Sequence, residues 1–327
     1  MTEKLAFVFP GQGSQTLGMG QELAKTYPEA ANIFKQADEI LDAPLSEICW
    51  QGPEDELNDT YNTQPGIFVS CLATLAALRA AGYVAEPDFV AGHSLGEYVA
   101  YVAAGVLSFE DGLKLVRERA RLMREAGQQN PGKMAAIIKL NDEQVGDICR
   151  QVSAETGWIQ IANYNAPGQV IISGDKAGID RAIELAKAAG ARKAIGLPVS
   201  IAAHSKLMET ANANFEAAVN AAKINAPDIP VVANITARPL NSVEAIQIEM
   251  VGQLTSSVQW SKSVQFMIAQ GVSKFVEIGP KNVLTSLLKR IDRSVSRVNV
   301  ENTAGIGKLL QEQPVKRTSH APDEKGS

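Results

Sequence analysis

Short apolar runs alternate with amphipathic stretches along the outer parts of the chain, and this alternation predicts an α/β fold. The continuous apolar runs are typical of strands buried on both faces and cover residues 5–9, 89–91, 230–235 and 274–278. Helical patterns cover residues 67–80, 95–104, 108–126 and 282–291. Pro65 stands just before the first of these helices. The order of elements indicates a mainly parallel sheet covered by helices on both faces.

The middle of the chain has a different pattern, which predicts a second, smaller domain. Its predicted elements follow the order β-α-β-β-α-β, with strands at 134–140, 158–164, 170–173 and 192–197 and helices at 142–154 and 176–189. This order is the signature of a ferredoxin-like unit. We therefore predict that residues 132–198 are inserted into a discontinuous large α/β domain, residues 1–131 and 199–312. Ligand clefts favour such junctions. The polar segment 313–327 is predicted to be a disordered tail.

Composition and charge narrow the classes of function. The net charge is −5 and no block of Lys or Arg occurs, which disfavours nucleic acid and anionic membranes as partners. The 3 cysteines lie far apart without a Cys-x-x-Cys pair, and with only 3 histidines no metal site is expected. We expect reduced thiols and a cytoplasmic protein. No apolar stretch reaches the roughly 20 residues that a membrane-spanning helix needs.

The segment Gly92-His-Ser-Leu-Gly96 fits the G-x-S-x-G nucleophile elbow. A predicted strand precedes it and a predicted helix follows, as the elbow requires. The glycines permit the tight turn that exposes the Ser94 hydroxyl, and the helix N-terminus favours a developing oxyanion. The alternative is an ordinary Gly- and Ser-containing turn. The strand-turn-helix context favours a nucleophilic serine.

A nucleophilic serine needs a base, and elimination among the histidines indicates His204. His320 lies in the predicted disordered tail, and His93 is the immediate neighbour of Ser94, where the turn keeps its ring from reaching the hydroxyl. His204 follows an apolar run at the entry to a helix. Taken alone, a histidine at such a boundary is more often structural. With Ser94 as nucleophile, we expect His204 to accept and return its proton.

Arg119 lies on the apolar face of its predicted helix. Its neighbours three and four positions away are Leu115, Val116, Leu122 and Met123, whereas the corresponding neighbours of Arg121 are all charged. A guanidinium keeps its charge, so a buried arginine requires an anion. Two partners are open at this point: an internal Asp or Glu, or a carboxylate on the substrate.

The glycine-rich loop at residues 9–14 follows the first predicted strand. Its spacing breaks the dinucleotide-binding fingerprint, and it lacks the lysine of a P-loop, so a nucleotide site is the weaker interpretation. Glycines here allow the backbone to approach a reacting carbonyl. The loop is therefore a candidate second source of oxyanion donors.

Several motifs in this order resemble those of the malonyl-CoA:acyl carrier protein transacylases, over residues 5–299. The motifs are Phe9-Pro-Gly-Gln-Gly-Ser-Gln15, Asn62-Thr-Gln-Pro65, Gly92-His-Ser-Leu-Gly-Glu97, Asn165-Ala-Pro-Gly-Gln169, Val199 to His204, Val258-Gln-Trp260 and Val276-Glu-Ile-Gly-Pro280. The resemblance implies an α/β hydrolase-like core with a ferredoxin-like insert. It also implies transfer of malonyl from malonyl-CoA to the phosphopantetheine thiol of acyl carrier protein, supplying fatty-acid or polyketide elongation. Coenzyme A enters as part of the substrate, and no cofactor or metal is expected.

The resemblance also implies a role for each site residue. Ser94 would be the acylated nucleophile, and His204 would be its base and acid, forming a Ser-His dyad with ping-pong kinetics. The backbone carbonyl of Gln253 would orient the histidine. The remaining implied roles are the oxyanion-hole amides of Gln12 and Leu95, the malonyl-binding guanidinium of Arg119 and the cleft wall at Gln64.

Two departures from the family pattern and a docking patch complete these expectations. Ala202-Ala203 precede the histidine, which predicts a less exclusive acyl pocket, and Ser256-Ser257 replace a frequent Asn-Pro, which predicts a less rigid loop. We expect a monomer. An acidic carrier is expected to dock on a basic patch at the edge of the insert, for which the candidates are Lys133, Lys139, Arg192 and Lys193.

Two other functions compete with acyl transfer. A serine esterase or thioesterase would need an acid between serine and histidine in chain order, and Asp111, Asp175 and Asp180 are available. A non-catalytic carrier-binding module would keep the fold without the chemistry.

Overall fold

The computed structural model describes residues 4–199 and 201–312, which form two four-stranded sheets. The strands are β1 Lys4–Phe9, β2 Phe89–Gly92, β3 Gly132–Ile138, β4 Ile159–Ala166, β5 Gln169–Asp175, β6 Lys193–Gly196, β7 Val272–Ile278 and β8 Ser296–Val300. The helices are α1 Gln21–Thr26, α2 Pro28–Leu41, α3 Leu45–Gln51, α4 Glu54–Asn58, α5 Thr60–Ala80, α6 Gly96–Ala103, α7 Phe109–Gln129, α8 Asp142–Glu155, α9 Lys176–Ala188, α10 Glu209–Ala221, α11 Val243–Gly252, α12 Trp260–Ala269, α13 Val283–Ile291 and α14 Thr303–Gln311.

The first sheet is parallel throughout and has the strand order β2-β1-β7-β8. Strand β1 shows why its sequence is continuously apolar. Leu5, Phe7 and Phe9 face one hydrophobic core, while Ala6 and Val8 face another core on the opposite side of the sheet. Both faces are therefore buried, as the pattern predicted.

The second sheet is antiparallel, has the order β4-β5-β3-β6, and uses only strands between residues 132 and 196. Numbered within the segment, this order is 2-3-1-4, which is the ferredoxin-like arrangement. Helices α8 and α9 bury Val145, Val152 and Ile179 against one face of this sheet, in a core of its own. The mixed α/β fold with a hydrolase-like core and a smaller ferredoxin-like unit is thus confirmed. The domain boundaries stay a prediction, and residues 313–327 lie outside the described residues.

Helix α5 begins at Thr60, earlier than predicted, and contains Pro65 in its interior. The prediction that the helix starts after Pro65 was wrong. A proline inside a helix leaves the carbonyl four residues earlier without its donor. Here that carbonyl belongs to Tyr61, and the Arg117 Nη1 donates a hydrogen bond to it at 2.7 Å. A side chain from α7 thus compensates for the missing backbone bond.

The segment 230–235 contributes less regular structure than its apolar sequence predicted. It makes isolated β-bridges. Val231 pairs with Val90 of β2, and Val232 pairs with Pro239. Pro230 lacks an N–H, and the chain turns back at Ala237, which has a positive φ of 54°. No continuous strand forms there for these reasons. Strand β8 and helix α14, for which no prediction was made, complete the edge of the first sheet.

Two further findings bear on the expectations from composition. Cys49, Cys71 and Cys149 are all buried and unbridged. Over residues 4–199 and 201–312, every helix falls short of the combined length and apolarity that crossing a bilayer demands.

Candidate active site

A cavity of about 210 Å³ opens between the two sheets and collects most of the predicted site residues. Gln12, Gln64, Ser94, Leu95, Arg119 and His204 all line it. Met134, Asn163 and Ile171 of the inserted unit form the opposite wall. Gln253 lies behind the wall, fully buried, and contacts the lining residues. The structure therefore brings together every residue that the sequence predicted for the site.

Ser94 occupies a strained turn between β2 and α6. Its φ is +54°, a left-handed conformation that non-glycine residues rarely adopt. The flanking glycines are required by close backbone approach, since a Cβ on Gly92 would meet the Gly96 carbonyl carbon at 1.8 Å and one on Gly96 would meet the Phe9 oxygen at 2.1 Å. The turn directs the serine hydroxyl into the cavity, as expected of a nucleophile elbow.

Asn234 holds this turn from behind and was not found from the sequence. Its Oδ1 accepts a hydrogen bond from the Ser94 amide at 2.7 Å, and its Nδ2 donates to the Gly92 carbonyl at 2.7 Å. Both contacts fix backbone atoms on either side of His93. The irregular 230–235 segment therefore supplies an amide that stabilises the elbow.

His204 is the histidine that reaches the serine. Its Nε2 lies 2.8 Å from the Ser94 Oγ, and its Nδ1 lies 2.8 Å from the Gln253 backbone carbonyl oxygen. A carbonyl can only accept, so Nδ1 carries the proton and Nε2 is free to accept one from the hydroxyl. Burial, reinforced by the nearby Arg119 charge, lowers the pKa of His204 to about 3. The imidazole is therefore neutral at physiological pH, the state that a general base requires.

The other histidine beside the elbow points elsewhere. The His93 Nε2 lies 2.8 Å from the Asn165 Oδ1, and the ring packs edge-on against Trp260 with centroids 5.7 Å apart. Burial also lowers the pKa of His93. This geometry agrees with the elimination argument for His204. His320 lies outside the described residues.

Arg119 is buried, with 1% of its surface exposed, and forms no salt bridge to any Asp or Glu within the described residues. Its Nη2 donates to the Ser94 Oγ at 3.1 Å and to the Gln253 Oε1 at 2.8 Å, and its Nη1 donates to the Gln64 Oε1 at 2.5 Å. Its Nε has no hydrogen-bond partner there. No carboxylate of the described residues therefore pairs directly with the guanidinium, and its Nε donor stays unused.

The buried carboxyl nearest to this arginine is separated from it by the side-chain amide of one glutamine. The Gln253 Nε2 donates to the Glu97 Oε2 and, at 3.1 Å, to the Ser94 carbonyl. Glu97 also accepts from the Asn234 backbone N–H at 2.8 Å. Burial and the neighbouring Glu249 raise the pKa of Glu97, and burial raises that of Glu249 to about 7. The Gln253 side chain thus links Arg119 to a buried acidic pair, a contact that the resemblance did not supply.

The two predicted oxyanion donors face the same part of the cavity. Gly11, next to Gln12, approaches the elbow so closely that a Cβ on it would meet the His93 oxygen at 2.3 Å and the Leu95 nitrogen at 3.7 Å. Neither the Gln12 nor the Leu95 amide donates a hydrogen bond to another described residue. Both N–H groups are available to a ligand beside Ser94.

The departures before the histidine and in the Gln253 loop have different consequences. Ala203 lines the cavity, whereas Ala202 is fully buried against Gly132 and does not. In the loop, the Ser257 Oγ donates to the Ile161 carbonyl at 2.5 Å, and Val258 exchanges backbone hydrogen bonds with β4. These contacts join the loop to the inserted unit, and its lower rigidity stays a prediction.

The acids available to an esterase triad lie away from the histidine. Asp111 hydrogen-bonds to Ser108 at the start of α7, Asp175 accepts from the Trp158 backbone N–H at 2.7 Å, and Asp180 pairs with Lys133 at 2.8 Å. The group that faces the His204 Nδ1 is the Gln253 carbonyl. The His204 imidazole therefore contacts Ser94 on one side and a backbone carbonyl, not one of these acids, on the other.

Comparisons with known proteins agree on one family. The acyl transferase domain model matches residues 6–321. The malonyl CoA-acyl carrier protein transacylase of Bacillus subtilis (strain 168) is 41% identical over 308 residues, covering 94% of this chain and 96% of that protein. The enzyme of the same name from Escherichia coli O157:H7 is 45% identical over 290 residues, covering 88% and 93%.

Solved structures agree with the sequence comparison. The malonyl CoA-acyl carrier protein transacylase of Coxiella burnetii superposes with a TM-score of 0.92 at 37% identity, covering 95% of this chain and 98% of that chain. A malonyl-transacylase solved in complex with a type II polyketide synthase acyl-carrier protein has a TM-score of 0.92 at 40% identity, covering 95% and 100%. With its elbow, buried arginine and inserted unit, the chain belongs to the acyl transferase family and, within it, to the malonyl-CoA:acyl carrier protein transacylases.

Proposed function

We propose that this protein transfers the malonyl group from malonyl-CoA to the phosphopantetheine thiol of acyl carrier protein through a malonyl-Ser94 intermediate. The observation that supports the proposal is that one cavity holds both a nucleophile and a cation without a carboxylate partner among the described residues. Ser94 contacts a neutral histidine at 2.8 Å and an arginine without a carboxylate partner at 3.1 Å. A nucleophile next to an unpaired buried cation fits a thioester that carries a free carboxylate.

In the first half-reaction, the His204 Nε2 takes the hydroxyl proton while the Ser94 Oγ attacks the thioester carbonyl. The Gln12 and Leu95 amides would stabilise the oxyanion of the tetrahedral intermediate. When the C–S bond breaks, the imidazolium returns its proton to the departing coenzyme A sulfur. The products are free coenzyme A and malonyl-Ser94.

The second half-reaction repeats these steps in reverse order. The carrier thiol gives its proton to His204 and attacks the seryl ester, and the proton then returns to the Ser94 oxygen as malonyl leaves on the carrier. The product of the first half-reaction departs before the carrier enters, so ping-pong kinetics follow. Every proton and acyl group is accounted for by the two thiols, the serine and the histidine, and the proposal includes no cofactor.

Arg119 would bind the free malonyl carboxylate. Its Nη2 contact with the Ser94 Oγ places the guanidinium next to the esterified oxygen, within the span of a malonyl group. Bidentate pairing of a guanidinium with a carboxylate is strong and directional. The contact would select malonyl over acyl groups that lack a terminal charge.

The carrier would dock on basic residues at the edge of the inserted unit, and two of the candidates lie close together. Lys139 and Arg192 line an open depression together with Arg290, which lies on α13, the helix whose first turns line the cavity. Lys133 is already paired with Asp180 at 2.8 Å, which makes it a weaker candidate. The monomeric state and cytoplasmic location stay predictions.

Intact-protein mass after incubation with malonyl-CoA tests the covalent step. We expect wild type to gain one malonyl group and Ser94→Ala to gain none. His204→Ala should slow labelling by about 10²-fold or more, the usual size of general-base effects. Label on Ser94→Ala would refute the assignment of the nucleophile.

Analysis of the products separates transfer from the two competing functions. A thioesterase would release free malonate in the absence of carrier faster than it passes malonyl to added carrier. A non-catalytic carrier-binding module would bind carrier and acquire no malonyl mass. We expect a stable malonyl-protein that discharges when holo-carrier is added.

A further inference from the structure

Gln160 joins the inserted unit to both segments that orient the active-site histidine. Its Nε2 donates a hydrogen bond to the His204 backbone carbonyl at 2.6 Å and another to the Thr255 carbonyl at 3.1 Å. Thr255 lies two residues after Gln253, whose own carbonyl faces the His204 Nδ1 at 2.8 Å. One side-chain amide therefore bridges the same two segments as the His204–Gln253 hydrogen bond.

The position of Gln160 on β4 explains why a polar side chain is found there. Successive residues of a strand point to opposite faces. Ile159 and Ile161 point into the core of the inserted unit. Gln160, between them, is directed to the other face, towards the large domain.

The chemistry of the contact requires two N–H donors. Two carbonyl oxygens that converge on one point repel each other unless donors lie between them. A glutamine NH₂ group supplies one hydrogen to each carbonyl, whereas its oxygen in the same place would add a third acceptor. Among the described residues, Gln160 is the donor of the hydrogen bonds that the His204 and Thr255 carbonyls accept.

The bridged segment also carries backbone strain. His204 has a positive φ of 57°, a conformation that persists only where surrounding contacts hold it. The other bonds of β4 to this region lie further along the loop, where the Ser257 Oγ donates to the Ile161 carbonyl at 2.5 Å. Gln160 is thus the contact of β4 that acts on the His204 backbone itself.

We propose that Gln160 is a positioning residue that holds the His204 segment against the Gln253 segment and so keeps the imidazole aligned on the Ser94 hydroxyl. The inference rests on the proposed function of Ser94 and His204. Gln160 is absent from the described residues that line the cavity, so it affects the rate of the chemical step and not the binding of the acyl group.

The test compares substitutions of similar length and opposite hydrogen-bonding character. Gln160→Glu replaces the donors by acceptors, and Gln160→Lys keeps donors for both carbonyls. In rapid-quench measurements of Ser94 malonylation, Gln160→Glu should lower the acylation rate constant about 10-fold or more with KM for malonyl-CoA within about twofold, because small misplacements of catalytic groups carry rate losses of this order. Gln160→Lys should stay within about threefold of wild type.

Ser257→Ala is the matched control, because it removes a hydrogen bond from the same strand-loop contact without touching either bridged carbonyl. Its acylation rate should match wild type. An equal loss in Ser257→Ala, or equal rates in Gln160→Glu and Gln160→Lys, would overturn the proposal. If Gln160→Glu fails to fold by circular dichroism, Gln160→Leu removes both donors without charge and should still slow acylation with unchanged KM.

The same experiment separates this inference from the proposed function. If wild type forms no malonyl-Ser94, the proposed function itself fails. If wild type is labelled rapidly and Gln160→Glu is labelled equally fast, only the role of Gln160 is refuted.

Discussion

Replacing Arg119 tests substrate selection most directly. Arg119→Ala removes the buried guanidinium that we propose binds the malonyl carboxylate. The side chain is 1% exposed, so its removal would leave a bound carboxylate in a largely buried site without its partner. Breaking a buried charge pair by removing one partner costs about 3–5 kcal/mol. At 1.4 kcal/mol per tenfold, kcat/KM for malonyl-CoA should fall by about 140-fold to 4,000-fold.

Acetyl-CoA gives the internal comparison. It carries no carboxylate, so it leaves the guanidinium unpaired in wild type and gains nothing from it. Arg119→Ala should therefore leave kcat/KM for acetyl-CoA nearly unchanged or raise it, and the malonyl-to-acetyl ratio should collapse. Arg119→Lys should not restore the ratio, because an ammonium cannot reproduce the planar fork.

The assay measures kcat/KM for both thioesters, with hydrolysis followed in parallel. Arg121→Ala is the matched control, since Arg121 lies on the same helix but on its exposed side, paired with Glu118 and Glu125 at 2.6 Å. It should change neither value. An unchanged malonyl-to-acetyl ratio in Arg119→Ala would mean that Arg119 is structural and that selection arises elsewhere in the cavity.

Three further predictions follow from charge and burial. Burial lowers the pKa of His204 to about 3, so kcat/KM for malonyl-CoA should stay flat from pH 8 down to pH 5; a fall centred near pH 6.5 would contradict a neutral, buried base. Burial raises the pKa of Glu249 to about 7 from about 4.5, so the unfolded chain loses this proton first as pH rises and stability declines across that range. The Tm of Glu249→Gln should therefore exceed that of wild type at pH 8 but not at pH 4.5, and a constant difference would refute this. Reversing the charges of Lys139, Arg192 and Arg290 should raise KM for the carrier and weaken its salt dependence, with malonyl-CoA kinetics unchanged; a flat carrier KM would place docking elsewhere.

Structural features that local sequence determines were predictable. The nucleophile elbow and the β-α-β-β-α-β unit depend on neighbouring residues, whose periodicity and glycines restrict the backbone directly. Arg119 was found for a related reason, since a single charge among apolar residues at helical spacing must point inward. Its partner was not predictable from the helix, because a carboxylate and an empty cavity produce the same pattern.

Contacts between distant segments left no such signal. The Asn234 Oδ1 meets the Ser94 amide across 140 positions, and Gln160 meets the His204 carbonyl across 44. In the sequence, Asn234 and Gln160 each look like an ordinary polar residue within an apolar segment. The start of α5 was misjudged for the same reason, because the Arg117 side chain that compensates for Pro65 comes from another helix.

The two units contribute different parts of the site, and the cavity lies where they meet. The large domain supplies the serine, its elbow and the arginine, each held by elements next to the parallel sheet. The inserted unit contacts the histidine segment, because Gln160 of β4 donates hydrogen bonds to the carbonyls of His204 and Thr255, and β4 also pairs with Val258. With Gln160 acting as proposed, a displacement of the insert would move His204 relative to Ser94 while leaving Ser94 and Arg119 in place.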